Sequence, residues 1–248
     1  MLSEMEQVKA CYNKKSRPVL AEPLPVRILF RKVGNLQYIS HLDLQRTIHR
    51  IFVRSGIPVW YTQGFNPHIK IVFSPPLSIG MESECEMIDI RVDREISYEE
   101  MKELLNREVT DEMRILDVYV PKTKFSDYIW SEYEMEIGTP DVGPETAEAM
   151  NQLLSENELM VVKKTKSGEK ELNLIPQVKS FHAVYQKEKG AVCIDAVLNV
   201  SSENYLNPGL LLDVLFRKCG ISMEREDEMW YTIRRIEALR QDGITPFR

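Results

Sequence analysis

The chain has 248 residues, 43% of them hydrophobic and 28% charged, with a net charge of −6. That hydrophobic content excludes a disordered chain, and the 11 glycines and 13 prolines exclude collagen-like or low-complexity material. No apolar run approaches the roughly 20 residues that cross a bilayer, so no membrane association is expected. The opening MLSEMEQVKACYNKKSRPVL has no apolar signal core, which predicts a cytoplasmic location. Cys11, Cys85, Cys193 and Cys219 are too dispersed for a metal knuckle or a redox pair. They read as reduced, buried or incidental thiols, and neither a metal nor a cofactor is expected.

Taken in chain order, residues 2–16 have helical spacing in Leu2, Met5, Val8 and Tyr12. Pro18, Pro23 and Pro25 then predict an extended linker, so residues 1–25 read as an N-terminal helix and a Pro-rich connection. Val26–Phe30 reads as a strand and Gly34-Asn35 as a turn. Ser40 is a good N-cap with Asp43 three residues on. Leu44, Ile48, Ile51 and Phe52 recur at helical spacing, and Gly56 ends the helix. Val59–Thr62 and Ile69–Phe73 read as strand segments around a Gly64–His68 loop. Glu86–Val92 alternates, with Met87, Asp89 and Arg91 on one side and Ile88, Ile90 and Val92 on the other. Ser97 caps a helix that runs to about Val109, and Met113–Val120 is a strand. This order is the ferredoxin-like βαββαβ pattern, so residues 26–124 are expected to form an α+β domain of that kind.

Residues 125–248 repeat the plan weakly and read as a second α+β domain. Ile129–Ile137 is a strand and Pro144–Ser155 a helix. Leu159–Lys164 and Glu169–Leu174 flank a Lys166-Ser167-Gly168 turn. Val192–Val200 is a strand and Pro208–Cys219 a helix. Trp230–Leu239 reads equally as strand or helix. No residue-level repeat joins the two halves.

Charge is unevenly spread. Residues 26–80 hold Arg27, Arg31, Lys32, Arg46, Arg50, Arg54 and Lys70 against the single carboxylate of Asp43, on an otherwise acidic chain. Such an asymmetry can position a polyanion. In the first helix Arg46, Arg50 and Arg54 form a stripe opposite the apolar face, and guanidinium forks suit phosphates. The segment WYTQGFNPHIK combines flat faces (Trp60, Tyr61, Phe65), amides (Gln63, Asn66), an imidazole (His68), a cation (Lys70) and Gly64. Base stacking with backbone cations is how single-stranded RNA is held. The bland alternative is a rigid loop that tucks Phe65 into the core beside a solvated charge stripe. His41 and Asp43 at the helix start, and His68 in the loop, are the candidates for acid–base chemistry. There is no Walker loop, dinucleotide fingerprint, zincin helix or nucleophile elbow.

Across residues 26–92 the hallmarks are Phe30, Lys32, Gly34, Ser40-His41-Leu42-Asp43, Arg46, Gln63-Gly64-Phe65-Asn66-Pro67-His68, Lys70, Leu77, Gly80, Ser83 and Glu86. With these the chain resembles the bacterial radical-SAM-linked protein family, a domain of otherwise unassigned function. His49 beside Arg50 departs from a more arginine-rich helix. The resemblance implies a companion to a separate radical-SAM enzyme, and a genomic setting beside a ribonuclease of the E/G type and ribosomal proteins. Three readings follow: a non-catalytic accessory protein that binds tRNA or rRNA; a metal-independent RNA-processing enzyme using His41 or His68; and a docking scaffold for the radical-SAM partner without nucleic acid.

Overall fold

The computed structural model describes residues 17–165, 168–222 and 229–248. The helix expected over 2–16 and the turn residues Lys166 and Ser167 lie outside the described residues. The chain divides into two compact units, one reaching to Lys124 and including Arg248, the other Phe125–Phe247. Among the described residues no helix is long and apolar enough to cross a membrane.

The first unit runs β1 (Val19–Lys32), a 3-10 turn (Gly34–Tyr38), α1 (His41–Ser55), β2 (Val72–Phe73), β3 (Glu82–Arg94), α2 (Tyr98–Asn106) and β4 (Ile115–Tyr119). Its strands lie in the order β4-β1-β3-β2, antiparallel at each step. Val26, Ile28 and Phe30 of β1 and Ile88, Ile90 and Val92 of β3 are buried in one cluster with Leu44, Ile48, Ile51 and Phe52 of α1 and Met101 and Leu105 of α2. Both helices therefore cover one face of the sheet. The local signals in α1 act as read. Ser40 accepts from the Asp43 N–H, and Gly56 closes the helix at φ 69°, a conformation that favours glycine.

The second unit runs β5 (Trp130–Gly138), α3 (Pro144–Ser155), a hairpin of β6 (Met160–Thr165) and β7 (Gly168–Asn173), β8 (Val178–Gln186), β9 (Ala191–Asn199), α4 (Pro208–Lys218) and β10 (Trp230–Leu239). Its sheet order is β10-β5-β9-β8, again antiparallel. Tyr133, Met135 and Ile137 of β5 stand opposite Ala196, Ile194 and Val192 of β9, all buried, while Glu134 and Asp195 between them face out. With the β6/β7 hairpin set aside as an insertion, both units place their strands fourth, first, third, second. The protein is of the α+β class.

The structure departs from the sequence reading in four places. The expected linker over 17–25 is largely the start of β1, where Leu24 pairs with Val92 and Pro25 with Arg91. β4 covers only Arg27–Phe30, so this stretch is an edge, where a proline's missing N–H leaves no ladder bond unmade. The expected strand segments 59–62 and 69–73 reduce to isolated bridges and the two residues of β2. Strand β8 was not anticipated. The undecided segment 230–239 is a strand.

Candidate nucleic-acid interface

The loop that carries most of the sequence-derived candidates is built on the outer edge of β3. Val59 bridges Val92, the Trp60 N–H donates to the Arg91 carbonyl at 2.8 Å, and the Asp93 N–H donates to Pro58 at 3.0 Å. Farther along the same edge Val72 pairs with Asp89 and Phe73 with Ile88. Only Ile90 of β3 stands opposite the gap between Trp60 and Val72. The two segments are thus one edge strand, interrupted by an excursion of residues 61–71 with adjacent feet, much like an Ω-loop.

The excursion is closed on itself. Tyr61 bridges Ile69, and the Thr62 N–H donates to the His68 carbonyl at 2.9 Å. The His68 N–H donates to the Thr62 hydroxyl at 3.1 Å. His68 Nδ1 lies 3.1 Å from that hydroxyl and 3.2 Å from the Asn66 carbonyl. A carbonyl only accepts, so the Asn66 contact is a hydrogen bond when Nδ1 carries a proton, and Nε2 has no partner among the described residues. Gly64, at φ 139°, makes the tip turn that a side chain would resist. Gln63, Gly64, Phe65, Asn66 and Pro67 are all exposed, and the Phe65 side chain is entirely so, at 103%. The reading in which Phe65 tucks into the core is thereby overturned. Ile69 and Ile71 do enter the core, and Lys70 between them is exposed.

The helix candidates lie elsewhere. His41 packs edge-on against Phe73 with ring centroids 5.1 Å apart, and its Nε2 accepts from the Gln45 amide at 2.8 Å. This flank of α1 faces the β2 edge. Arg54 lies about 140° around the helix from His41, and it pairs with Glu108 at 2.9 Å, just beyond α2. The arginine row therefore runs along the flank away from the excursion, and no described contact joins the two. Arg46 pairs with Asp43 at 3.2 Å, while Arg50 is exposed and engages no carboxylate among the described residues. The Asp43 carboxyl is held below its usual range, chiefly by the Ser40 hydroxyl and then by Arg46. His41 and His68 have separate partners, and no described contact assembles them with Asp43 as an acid–base group. Among the described residues no cluster of His, Cys, Asp and Glu has metal-binding geometry.

On the same edge Trp60, one of the aromatics of the segment, has a neighbour that was not among the candidates. Arg91 sits with its guanidinium 5.9 Å from the centre of the Trp60 ring. The alternation of β3 already set Arg91 on the side opposite Ile90 and Val92. Its pairing with Trp60 depends on a strand register that sequence spacing does not carry.

Fold and loop together define an α+β protein of two like units, the first bearing an exposed aromatic excursion on a sheet edge. Residues 26–208 match the family described as "Uncharacterized protein conserved in bacteria (DUF2344)", and the chain belongs to that family. The match extends well past the first unit and ends where α4 begins. No curated protein matches the chain. Among solved structures, the crystal structure of an unknown protein from Galdieria sulphuraria aligns over 86% of this chain and 99% of that one, at 10% identity and a TM-score of 0.26. DyPB from Rhodococcus jostii RHA1 aligns over 87% of this chain and 91% of that one, at 9% identity and a TM-score of 0.19. A manganese complex of a DypB variant aligns over 81% and 86%, at 9% identity and a TM-score of 0.18. At these scores none of them defines an activity for this chain.

Proposed function

We propose that this protein is a non-catalytic accessory module that binds single-stranded RNA through residues 61–70, and that it serves a separate radical-SAM enzyme, as the sequence resemblance implies. The observation that carries the RNA reading is Phe65, wholly exposed at the tip of a loop closed by Thr62 and His68. Leaving such a ring in water forgoes about 2 kcal/mol of burial. A self-closed loop that holds it outward, between the amides of Gln63 and Asn66, is a stacking platform with edge-reading groups on either side. Lys70 supplies a phosphate contact close by. The arginine row contributes long-range attraction from another flank of the unit rather than direct contact at the loop.

Fluorescence anisotropy with a short labelled single-stranded RNA tests this reading. The wild type should bind at low salt and weaken steeply as salt rises. Phe65→Ala should lose about tenfold to a hundredfold in affinity, since stacking contributes about 1–3 kcal/mol per base. Absence of wild-type binding at low salt would refute it. An exposed aromatic knob also suits a protein pocket. Recovery of the radical-SAM partner after nuclease treatment, lost in Phe65→Ala, would shift the assignment to a docking scaffold.

A further inference from the structure

The foot of the excursion carries a second aromatic and cationic group. Val59 and Val92 are buried partners in the core, so Trp60 and Arg91, one position along each strand, face the side of the sheet away from the helices. The Trp60 backbone is fixed to Arg91 by its N–H bond, and the Arg91 guanidinium approaches the indole. The pairing of Thr62 with His68 and of Tyr61 with Ile69 sets Lys70 across from Trp60. Residues so paired have Cβ atoms about 5 Å apart. Ile69 and Ile71 pack inward, which turns Lys70 to the same side as Trp60.

The nearby carboxylates leave these cations available. Asp89 follows Arg91 on that face by two positions, but Arg27 binds both of its oxygens, at 2.7 and 2.8 Å. Asp93, two positions the other way, makes no ion pair with Arg91 among the described residues. Arg91 and Lys70 are both exposed. An indole beside two exposed cations, neither of which makes an ion pair among the described residues, matches a nucleotide, with its flat base and its phosphate, better than it matches either part alone.

We propose that Trp60, Lys70 and Arg91 form a nucleotide subsite for single-stranded RNA, with a base stacked on Trp60 and a phosphate held by Lys70 and Arg91. The inference rests on the RNA-binding reading and extends it from the loop tip to the foot. The five steps from Trp60 to Phe65 reach at most roughly 16 Å at about 3.3 Å each. A short single strand can therefore touch both rings.

The experiment is a salt series of anisotropy titrations with the full chain and a short labelled single-stranded RNA, comparing wild type, Trp60→Leu, Lys70→Gln with Arg91→Gln, and Phe65→Ala. Trp60→Leu should weaken binding about tenfold and leave the salt slope unchanged. The double charge variant should lower the slope of log affinity against log salt by about 1.4, since each single-strand phosphate contact contributes about 0.7. Its two substitutions are at exposed positions, so it remains informative should Trp60→Leu unfold. If the wild type binds and Phe65→Ala weakens it, while the charge variant keeps the wild-type slope, the subsite is wrong and the RNA reading stands. If the wild type does not bind, the reading itself fails and takes the subsite with it. Tight binding of polyglutamate in place of RNA, lost in the charge variant and unaffected by Trp60→Leu, would overturn the assignment in favour of an acidic protein partner.

Discussion

Ser40 and Asp43 hold the first turn of α1 as a reciprocal pair. The Asp43 N–H donates to the Ser40 hydroxyl at 3.1 Å, and that hydroxyl donates to the Asp43 carboxylate at 2.7 Å. Arg46 adds a third contact at 3.2 Å. The carboxyl is acidified on folding, so ionised Asp43 favours the fold. That contribution is complete above the ordinary aspartate value of about 3.9, and it is lost as pH falls through the lowered value of the folded state. An NMR titration of the Asp43 carboxyl should show the depression, and Ser40→Ala should move it back up toward the ordinary value. The same variant should cost about 1 kcal/mol in denaturant unfolding, the usual effect of losing an N-cap. This cap was legible because its parts lie within four residues of one another. The partner of Arg54 was not. Glu108 is brought to it by packing on the sheet, and nothing in the local sequence announces that contact. The contact of Arg91 with Trp60 was hidden for the same reason.

One outer strand in each unit is blocked by an asparagine. In β4 the Ile115 N–H donates to the Asn106 amide oxygen at 2.9 Å, and the Asn106 amide nitrogen donates to the Ile115 carbonyl at 3.1 Å. In β8 the Ala183 N–H and carbonyl make the same two bonds to Asn151 of α3, at 2.8 and 2.7 Å. A side-chain amide thus occupies the position a neighbouring strand would take, which protects an exposed edge from pairing with another chain. Asn151→Ala should strip the edge of β8 and produce concentration-dependent self-association, visible by analytical ultracentrifugation, with a loss of about 1–3 kcal/mol in stability. An unchanged sedimentation profile at high concentration would show that the edge is guarded by other means. The strands that escaped the sequence reading share a cause. β8 is an outer strand with only one half-buried face and a register shift between Val178 and Ser180, so its alternation is diluted by Lys179, Ser180 and His182. In β10 the inward set includes Arg235, fully buried beside Ile233, and a charge at that position masks the period-two pattern. Helices α1, α3 and α4 were legible almost to the residue because caps, prolines and glycines mark their ends.

At the scale of the molecule, the repeated strand order of the two units followed from the order of elements, while their side chains carry no visible repeat. Pairing within a sheet is set by pattern and connection rather than by particular residues. The β6/β7 hairpin obscured the correspondence by adding two strands between α3 and β8. The family match ends at Pro208, yet α4 and β10 are integral to the second unit. Leu211, Leu212, Leu215 and Phe216 are fully buried, and β10 pairs with β5 along its length. Truncation after Asn207 should therefore expose that core and the edge of β5. Thermal unfolding followed by circular dichroism should show the loss of the second unit's transition, and retention of wild-type melting would refute that dependence. The excursion on β3 has the opposite relation to its unit. Because its feet stand beside each other on a strand that resumes where it left off, its tip can vary in length and composition with little disturbance to strand pairing. Selection can thus rewrite the loop while the architecture beneath it stays constant, so that, on the proposed function, relatives of this chain diverge in what they bind without diverging in shape.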